Sequence, residues 1–371
     1  MKKTTMKSCW TSLGAGIAML GLLLAGCTAA PSPAATPLPT GTAAPRPAPN
    51  GIPSATPRPS ATPRPVPTPI SAANASQLTQ LAQNKVEGLV SALAWSPDGT
   101  ALAVATNLGV GLYDPASLGL LRMFDQVDPD ASAEVTSLAF SPDGSLLAAG
   151  LSNSHIAILN RSDGSLQTTL KGHWAAVNSV AFSSDGDTLA SGSDDKTVRL
   201  WRLSDDSGLM MLRGHTARVR SVAFAPDGSL LASASEDWHV RIWRVADGTV
   251  VHTLGGFTNR VGVVAFSPDG VYLATGTDDG SVKLWNFASQ VAVHSLELGN
   301  AECVTGLDFS PDSSLLAVGG CDSQTVWQVS DGSQLFSLQG IGMQSLVAFS
   351  PDGSRLAVAA PYEGISLWGL P

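Results

Sequence analysis

A four-residue turn recurs seven times along the chain, and its spacing limits what everything between the copies can become. Ser-Pro-Asp-Gly or a near variant occupies residues 96–99, 141–144, 183–186, 225–228, 267–270, 310–313 and 350–353. Successive copies start 45, 42, 42, 42, 43 and 40 residues apart. Proline presets φ for the turn, aspartate bonds the backbone just beyond itself, and glycine accepts a positive φ. Each turn follows a short apolar run ending at Trp95, Phe140, Phe182, Phe224, Phe266, Phe309 or Phe349, and leads into a second run such as Leu189-Ala190. A third run ends at Trp201, Trp243, Trp285, Trp327 or Trp368 in five copies, and at Tyr113 and Leu159 in the first two. A fourth follows, as at residues 166–170 and 250–254. Each copy therefore reads as four strands that cannot bury both faces alone, so the copies must pack on one another. Closing them into a ring removes exposed sheet edges.

With the Gly-His pairs Gly172-His173 and Gly214-His215 and the closing tryptophans, the repeat resembles the WD-repeat family over residues 76–371. The resemblance implies an all-β fold, a seven-bladed β-propeller of four-stranded blades. It also implies that a His, Ser/Thr, Asp and Trp tie each well-formed blade together. That set is complete as His173, Ser191, Asp195 and Trp201, and again as His215, Ser233, Asp237 and Trp243. The fifth copy keeps Thr275, Asp279 and Trp285 but carries Phe257 in place of the histidine. Val104, Ala149, Val318 and Val358 fill the Ser/Thr position in the remaining copies. The seventh copy reaches Pro371 just after its third strand. Residues 77–81, Gln-Leu-Thr-Gln-Leu, resemble the outer strand Leu-Gln-Thr-Thr-Leu at 166–170, and are expected to complete the seventh blade.

The N-terminal segment reads as an address. Lys2, Lys3 and Lys7 precede an uncharged, mostly apolar run over residues 11–26, shorter than a spanning helix needs. The run ends Leu24-Ala25-Gly26-Cys27, which resembles the lipobox of bacterial lipoproteins. The resemblance implies that residues 1–26 are a signal peptide, that Cys27 is lipidated, and that the protein is anchored in the bacterial envelope on an extracytoplasmic membrane face. More than one acyl chain would make the anchor stable. Fourteen prolines and no acidic residue lie between residues 28 and 70, so residues 27–75 are expected to form a disordered Pro-rich linker. The 43 residues from 28 to 70 would reach roughly 130 Å at about 3.1 Å per residue in extended polyproline II.

Charge and composition remove several function classes. The whole chain carries −9, and from residue 71 onward 15 basic residues face 30 acidic ones, so a grip on nucleic acid is not expected. Much of this acid belongs to the turns and tetrads; the functional reading is an acidic face that prefers basic partners. Four cysteines cannot organise the fold through disulfides or zinc. His155, His239, His252 and His294 lie at inequivalent repeat positions without ligand spacing. The neighbours Asp194-Asp195 and Asp278-Asp279 would point to opposite faces of a strand rather than share a proton. No catalytic motif, cofactor or metal site is expected. Cys303 and Cys321 bracket the sixth turn nearly opposite one another, as a disulfide or as two free thiols. The family resemblance implies a scaffold for a protein or peptide partner, bound on the rim near the loops leading into the first strands. Trp174, Asp194, Arg218, Arg220, Glu236, Trp238, Arg260 and Asp278 belong to that rim, and Trp and Arg are residue types enriched at hot spots. The alternative is an enzyme, or a carbohydrate- or small-ligand-binding protein, using the central channel. The acidic loop with Asp125, Asp128, Asp130 and Glu134 is its candidate cation position, with a solvated loop as the plainer account.

Overall fold

The computed structural model describes residues 67–371, apart from 125, 129–132, 206, 299–302 and 340–343. The described chain forms seven four-stranded antiparallel sheets, which are the blades of a propeller. Blade 1 consists of Val90–Trp95, Leu102–Thr106, Gly109–Tyr113 and Leu120–Phe124, ordered from the innermost strand outward. The inner strands of blades 2 to 7 are Val135–Phe140, Val177–Phe182, Val219–Phe224, Val261–Phe266, Val304–Phe309 and Leu346–Phe349. The signal peptide, Cys27 and the linker up to residue 66 lie outside the described residues, as do Asp125 and Asp130 of the acidic loop.

Each Ser-Pro-Asp-Gly turn joins the first two strands of a blade and is pinned by its own side chains. In the first, Ser96 Oγ donates to Asp98 Oδ1 at 2.6 Å and accepts the Ala101 N–H at 2.9 Å, while Asp98 also accepts the Thr100 N–H. The same Ser–Asp bond recurs at Ser141, Ser183, Ser267, Ser310 and Ser350. Donors from Ser141 and Ser145 hold the Asp143 carboxyl down at about 2. At the opposite end of the inner strands, the turn between the second and third strands docks on the loop that feeds the first. The Asp194 N–H donates to Ala176 O at 2.9 Å, Glu236 N to Arg218 O at 3.0 Å, and Asp278 N to Arg260 O at 3.1 Å.

A bulge marks the second residue of six inner strands. Pairing with the neighbouring strand skips Ser91, Thr136, Asn178, Arg220, Gly262 and Thr305, because the register shifts across each of them. A bulge frees one residue from the ladder and re-aims its side chain. These six residues all line the central channel.

The core is a ring of seven apolar clusters, each lying between adjacent blades. One joins Val198, Leu200 and Leu212 of blade 3 to Val219, Val222, Leu231 and Trp243 of blade 4. Another closes the ring, joining Leu346, Ala357 and Leu367 of blade 7 to Val90, Leu102 and Val104 of blade 1.

Blade 7 receives its outer strand from Thr79–Asn84, which pairs antiparallel with Gly364–Gly369. The strand expected at residues 77–81 is therefore displaced. Gln80 pairs with Trp368, as Leu166 pairs with Leu159 in blade 2, so the equivalent segment lies three residues further along. The physical reason is that Leu78 is taken by another task. A single 3-10 turn, Ala75–Gln77, sets Ile70, Ala75 and Leu78 into the cluster between blades 6 and 7. The packed chain accordingly begins at Ile70, whose N–H donates to Gly353 O at 2.8 Å, rather than at residue 76. Asn84 then ties the strand to blade 1 by donating to Leu118 O at 2.7 Å.

Candidate functional site

The two complete tetrads form hydrogen-bonded relays. Trp201 Nε1 donates to Ser191 Oγ at 2.8 Å, Ser191 Oγ meets His173 Nε2 at 2.7 Å, and His173 Nδ1 meets Asp195 Oδ2 at 2.7 Å. Blade 4 repeats this with Trp243, Ser233, His215 and Asp237 at 2.7, 2.7 and 2.9 Å. Along the Trp–Ser–His–Asp relay a neutral imidazole fits if Nδ1–H donates to the carboxylate and Nε2 accepts the serine proton, and in blade 4 Arg241 Nη1 also donates to Asp237 Oδ2 at 2.9 Å. Burial lowers the His215 pKa despite the Asp237 bond, which keeps that ring neutral. Desolvation opposes ionisation of Asp195 and Asp237, but their His bonds and other donors outweigh it and hold both carboxyls well below the usual range. In blade 5 Trp285 Nε1 donates to Thr275 Oγ1 at 3.0 Å, and Phe257 packs tilted on Trp285. The relay is interrupted there, and Thr258 Oγ1 holds Asp279 instead at 2.6 Å. Tetrad residues are thus the supports of the rim turns, with no open position for a substrate.

The rim residues are placed unevenly. Trp174 follows the tetrad histidine directly and is 66% exposed, with the guanidinium carbons of Arg199 and Arg213 at 5.4 and 5.8 Å from its ring centre. Trp238 takes a positive φ of 67° in the next blade's turn and is 49% exposed. Four expected contact residues are engaged with each other. Asp194 accepts Asn178 Nδ2 at 2.7 Å and lies 3.6 Å from Arg218 Nε, while Arg220 Nη1 is 3.4 Å from Glu236 Oε1. Arg260 and Asp278 are both exposed, and Asp278 lines the channel.

The channel encloses a cavity of about 1060 Å³. Side chains at the bulge positions cross from one blade to the next near its mouth. Ser91 Oγ donates to Val135 O at 2.5 Å, Thr136 Oγ1 to Val177 O, Asn178 Nδ2 to Val219 O at 2.9 Å, and Thr305 Oγ1 to Ser345 O at 2.7 Å. Apart from Arg220, this column was not singled out from the sequence, although its members sit one residue after the first apolar position of six inner strands. Asp308 was also missed. It stands where the other inner strands carry Ala94, Ala139, Ala181, Ala223, Ala265 and Ala348, and its carboxylate accepts the Phe349 N–H at 2.6 Å.

Cys303 and Cys321 are disulfide-bonded with Cα atoms 5.2 Å apart, and the Cys321 N–H donates to Cys303 O at 3.0 Å. His155, His239, His252 and His294 do not converge on one another, and no group of three or more His, Cys, Asp or Glu among the described residues could hold a metal ion. Among the described residues no helix is long and apolar enough to cross a membrane.

A family model described as the IFT122 first beta-propeller matches residues 134–369, well over half of the chain. The chain is also 34% identical over 100 residues to WD repeat-containing protein 3 homolog of Dictyostelium discoideum, which covers 26% of this chain. The matched stretch is 10% of the length of that protein.

Proposed function

The chain belongs to the WD-repeat β-propeller family, and on that premise we propose that it is a lipid-anchored extracytoplasmic scaffold that holds a protein partner on its tetrad rim. WD-repeat propellers typically serve as interaction scaffolds, and one observation carries the reading here. Trp174 and Trp238 leave large indole surfaces in water on consecutive blades, at the ends of turns that the two complete relays brace from beneath. A large exposed aromatic costs solvation and offers binding area with little side-chain entropy to lose, which suits an interface anchor. The bracing supports this, because a preordered turn binds without first being frozen.

The anchoring half of the proposal rests on Leu24-Ala25-Gly26-Cys27 and on the proline-rich run that follows. In it, Cys27 carries the lipid and the linker spaces the propeller from the membrane. Crosslinked capture from intact membranes tests both halves. Wild type is expected to enrich one protein, the pair Trp174→Ala and Trp238→Ala to lose it, and Cys27→Ser to leave the membrane fraction. Equal capture by the tryptophan pair would sink the rim as the contact surface. A Cys27→Ser chain still sedimenting with membranes would sink the anchor.

The cavity in the central channel supports the second reading, a small-ligand or carbohydrate site. A ligand whose binding raises the melting temperature and is blocked by side chains introduced into the channel would favour it over the scaffold.

A further inference from the structure

Blades 3, 4 and 5 each carry a cation two residues before the closing tryptophan: Arg199, Arg241 and Lys283. Arg241 Nη1 donates to Asp237 Oδ2 at 2.9 Å, and Lys283 Nζ donates to Gly256 O at 2.8 Å. Arg199 hydrogen-bonds no acceptor among the described residues, and its Nε is buried without a partner. The corresponding acid in blade 3, Asp195, accepts instead from the Trp174 N–H and from the N–H and hydroxyl of Thr197, besides its bond to His173. Arg199 lies between two indoles, its guanidinium carbon 5.4 Å from the Trp174 ring centre and 5.7 Å from that of Trp201. Gly172 makes room for it, since a Cβ there would come within 2.8 Å of Arg199 Nη1. Arg213, just beyond the outer strand of the same blade, brings a second guanidinium carbon to 5.8 Å from the Trp174 ring centre. It is exposed, and it too hydrogen-bonds no acceptor among the described residues.

We propose that Arg199 and Arg213, gathered on the Trp174 indole, bind the carboxylate of an acidic residue on a protein partner. Contact with an indole holds a guanidinium in place without supplying the oxygen acceptors that its N–H groups need. With Nε enclosed, Arg199 gains acceptors only at its terminal nitrogens, and a charged acceptor makes the stronger bond there. Burial lowers the Arg199 pKa and the Arg213 charge adds to this, against the pull of Asp195. A partner's carboxylate offsets both effects. From residue 71 onward 15 basic residues face 30 acidic ones, so the pair is a positive spot on an acidic body. A single carboxylate suits it better than a dianionic phosphate, which the surrounding acid repels more strongly. The exposed Trp174 ring offers a surface to apolar side chains beside that acid. The proposal rests on the scaffold reading and names the chemistry of the partner.

The test is nuclear magnetic resonance on the full chain, reading the Arg199 and Arg213 Nε–H signals and the Trp174 indole N–H signal. Three capped tripeptides serve as probes: Leu-Glu-Leu, its neutral isostere Leu-Gln-Leu, and Leu-phosphoserine-Leu. Leu-Glu-Leu is expected to shift all three signals saturably and to bind at least tenfold more tightly than Leu-Gln-Leu. Arg199→Gln and Arg213→Gln should each weaken it at least fivefold. Arg213 is exposed and outside the tetrad, so its variant should keep the wild-type melting temperature and decides the matter even if Arg199→Gln misfolds. No shift with Leu-Glu-Leu, equal binding of Leu-Gln-Leu, or unchanged binding by Arg213→Gln would overturn the proposal. Tighter binding of the phosphoserine peptide would overturn it in favour of a phosphate site. Capture from intact membranes separates this site from the scaffold reading. If Arg199→Gln with Arg213→Gln still captures the partner that the tryptophan pair loses, the scaffold stands and this site falls. Leu-Glu-Leu binding without any captured partner upholds the site and counts against the scaffold.

Discussion

Asp308 sets a pH dependence that the surrounding turns oppose. Burial among the inner strands raises its carboxyl to about 7, against lowering by the Phe349 and Phe309 N–H groups. Because its folded pKa lies above the unfolded 3.8, its contribution is fully present below about pH 4 and is lost as pH rises toward 7. Each unit of displacement corresponds to about 1.4 kcal/mol. Turn aspartates such as Asp143, depressed to about 2, act in the opposite sense and lose their contribution only in strong acid. Asp308→Asn should therefore gain on wild type between about pH 5 and pH 8 in urea midpoints, and a difference constant with pH would refute the assignment. A second residue-scale expectation concerns Ser233, which serves both Trp243 and His215. Ser233→Ala leaves two buried groups short of a partner and should cost about 1–3 kcal/mol by chemical denaturation. Loss of less than about 0.5 kcal/mol would mean the relay carries no net stability. The tetrads were legible in the sequence through the family resemblance, which names the four residue types and their repeat positions. Asp308 was not, since one acid in an alanine column is invisible until the column is known to pack against the neighbouring blade.

At the scale of the strand, turns and inner strands were legible wherever residue pattern and spacing agreed. The bulges were not, because a residue outside the ladder has the same sequence signature as one within it. The outer strand of blade 7 was placed three residues early for a related reason: Leu78 matches the apolar position of a strand, yet its burial belongs to the turn before it. The hairpin in blade 6 offers a direct measurement. The Cys303–Cys321 bond closes a separation of 18 residues, so replacing both cysteines with serine should cost about 3 kcal/mol through the freed unfolded chain. Unchanged stability under reductant would indicate that the bond adds nothing to the hairpin's own pairing.

For the whole molecule, stability lies in a ring of seven interfaces, and the ring has one seam where segments far apart in sequence meet. Deleting residues 70–84 removes the outer strand of blade 7 and the three apolar residues set between blades 6 and 7. Calorimetry should then show a fall of at least several degrees in melting temperature, and an unchanged value would mean that the seam bears none of the stability. The same seam has a mechanical meaning. The chain leaves the propeller at Ile70, beside the Gly353 turn, so any load on the preceding segment enters the molecule there. It meets two seatings in series: the plug of Ile70, Ala75 and Leu78, and behind it the strand Thr79–Asn84. The plug must yield before tension reaches the strand, and the strand must peel before the ring opens. On the tethered reading proposed above, a pull from a partner meets a fuse that gives way first and spares the rim.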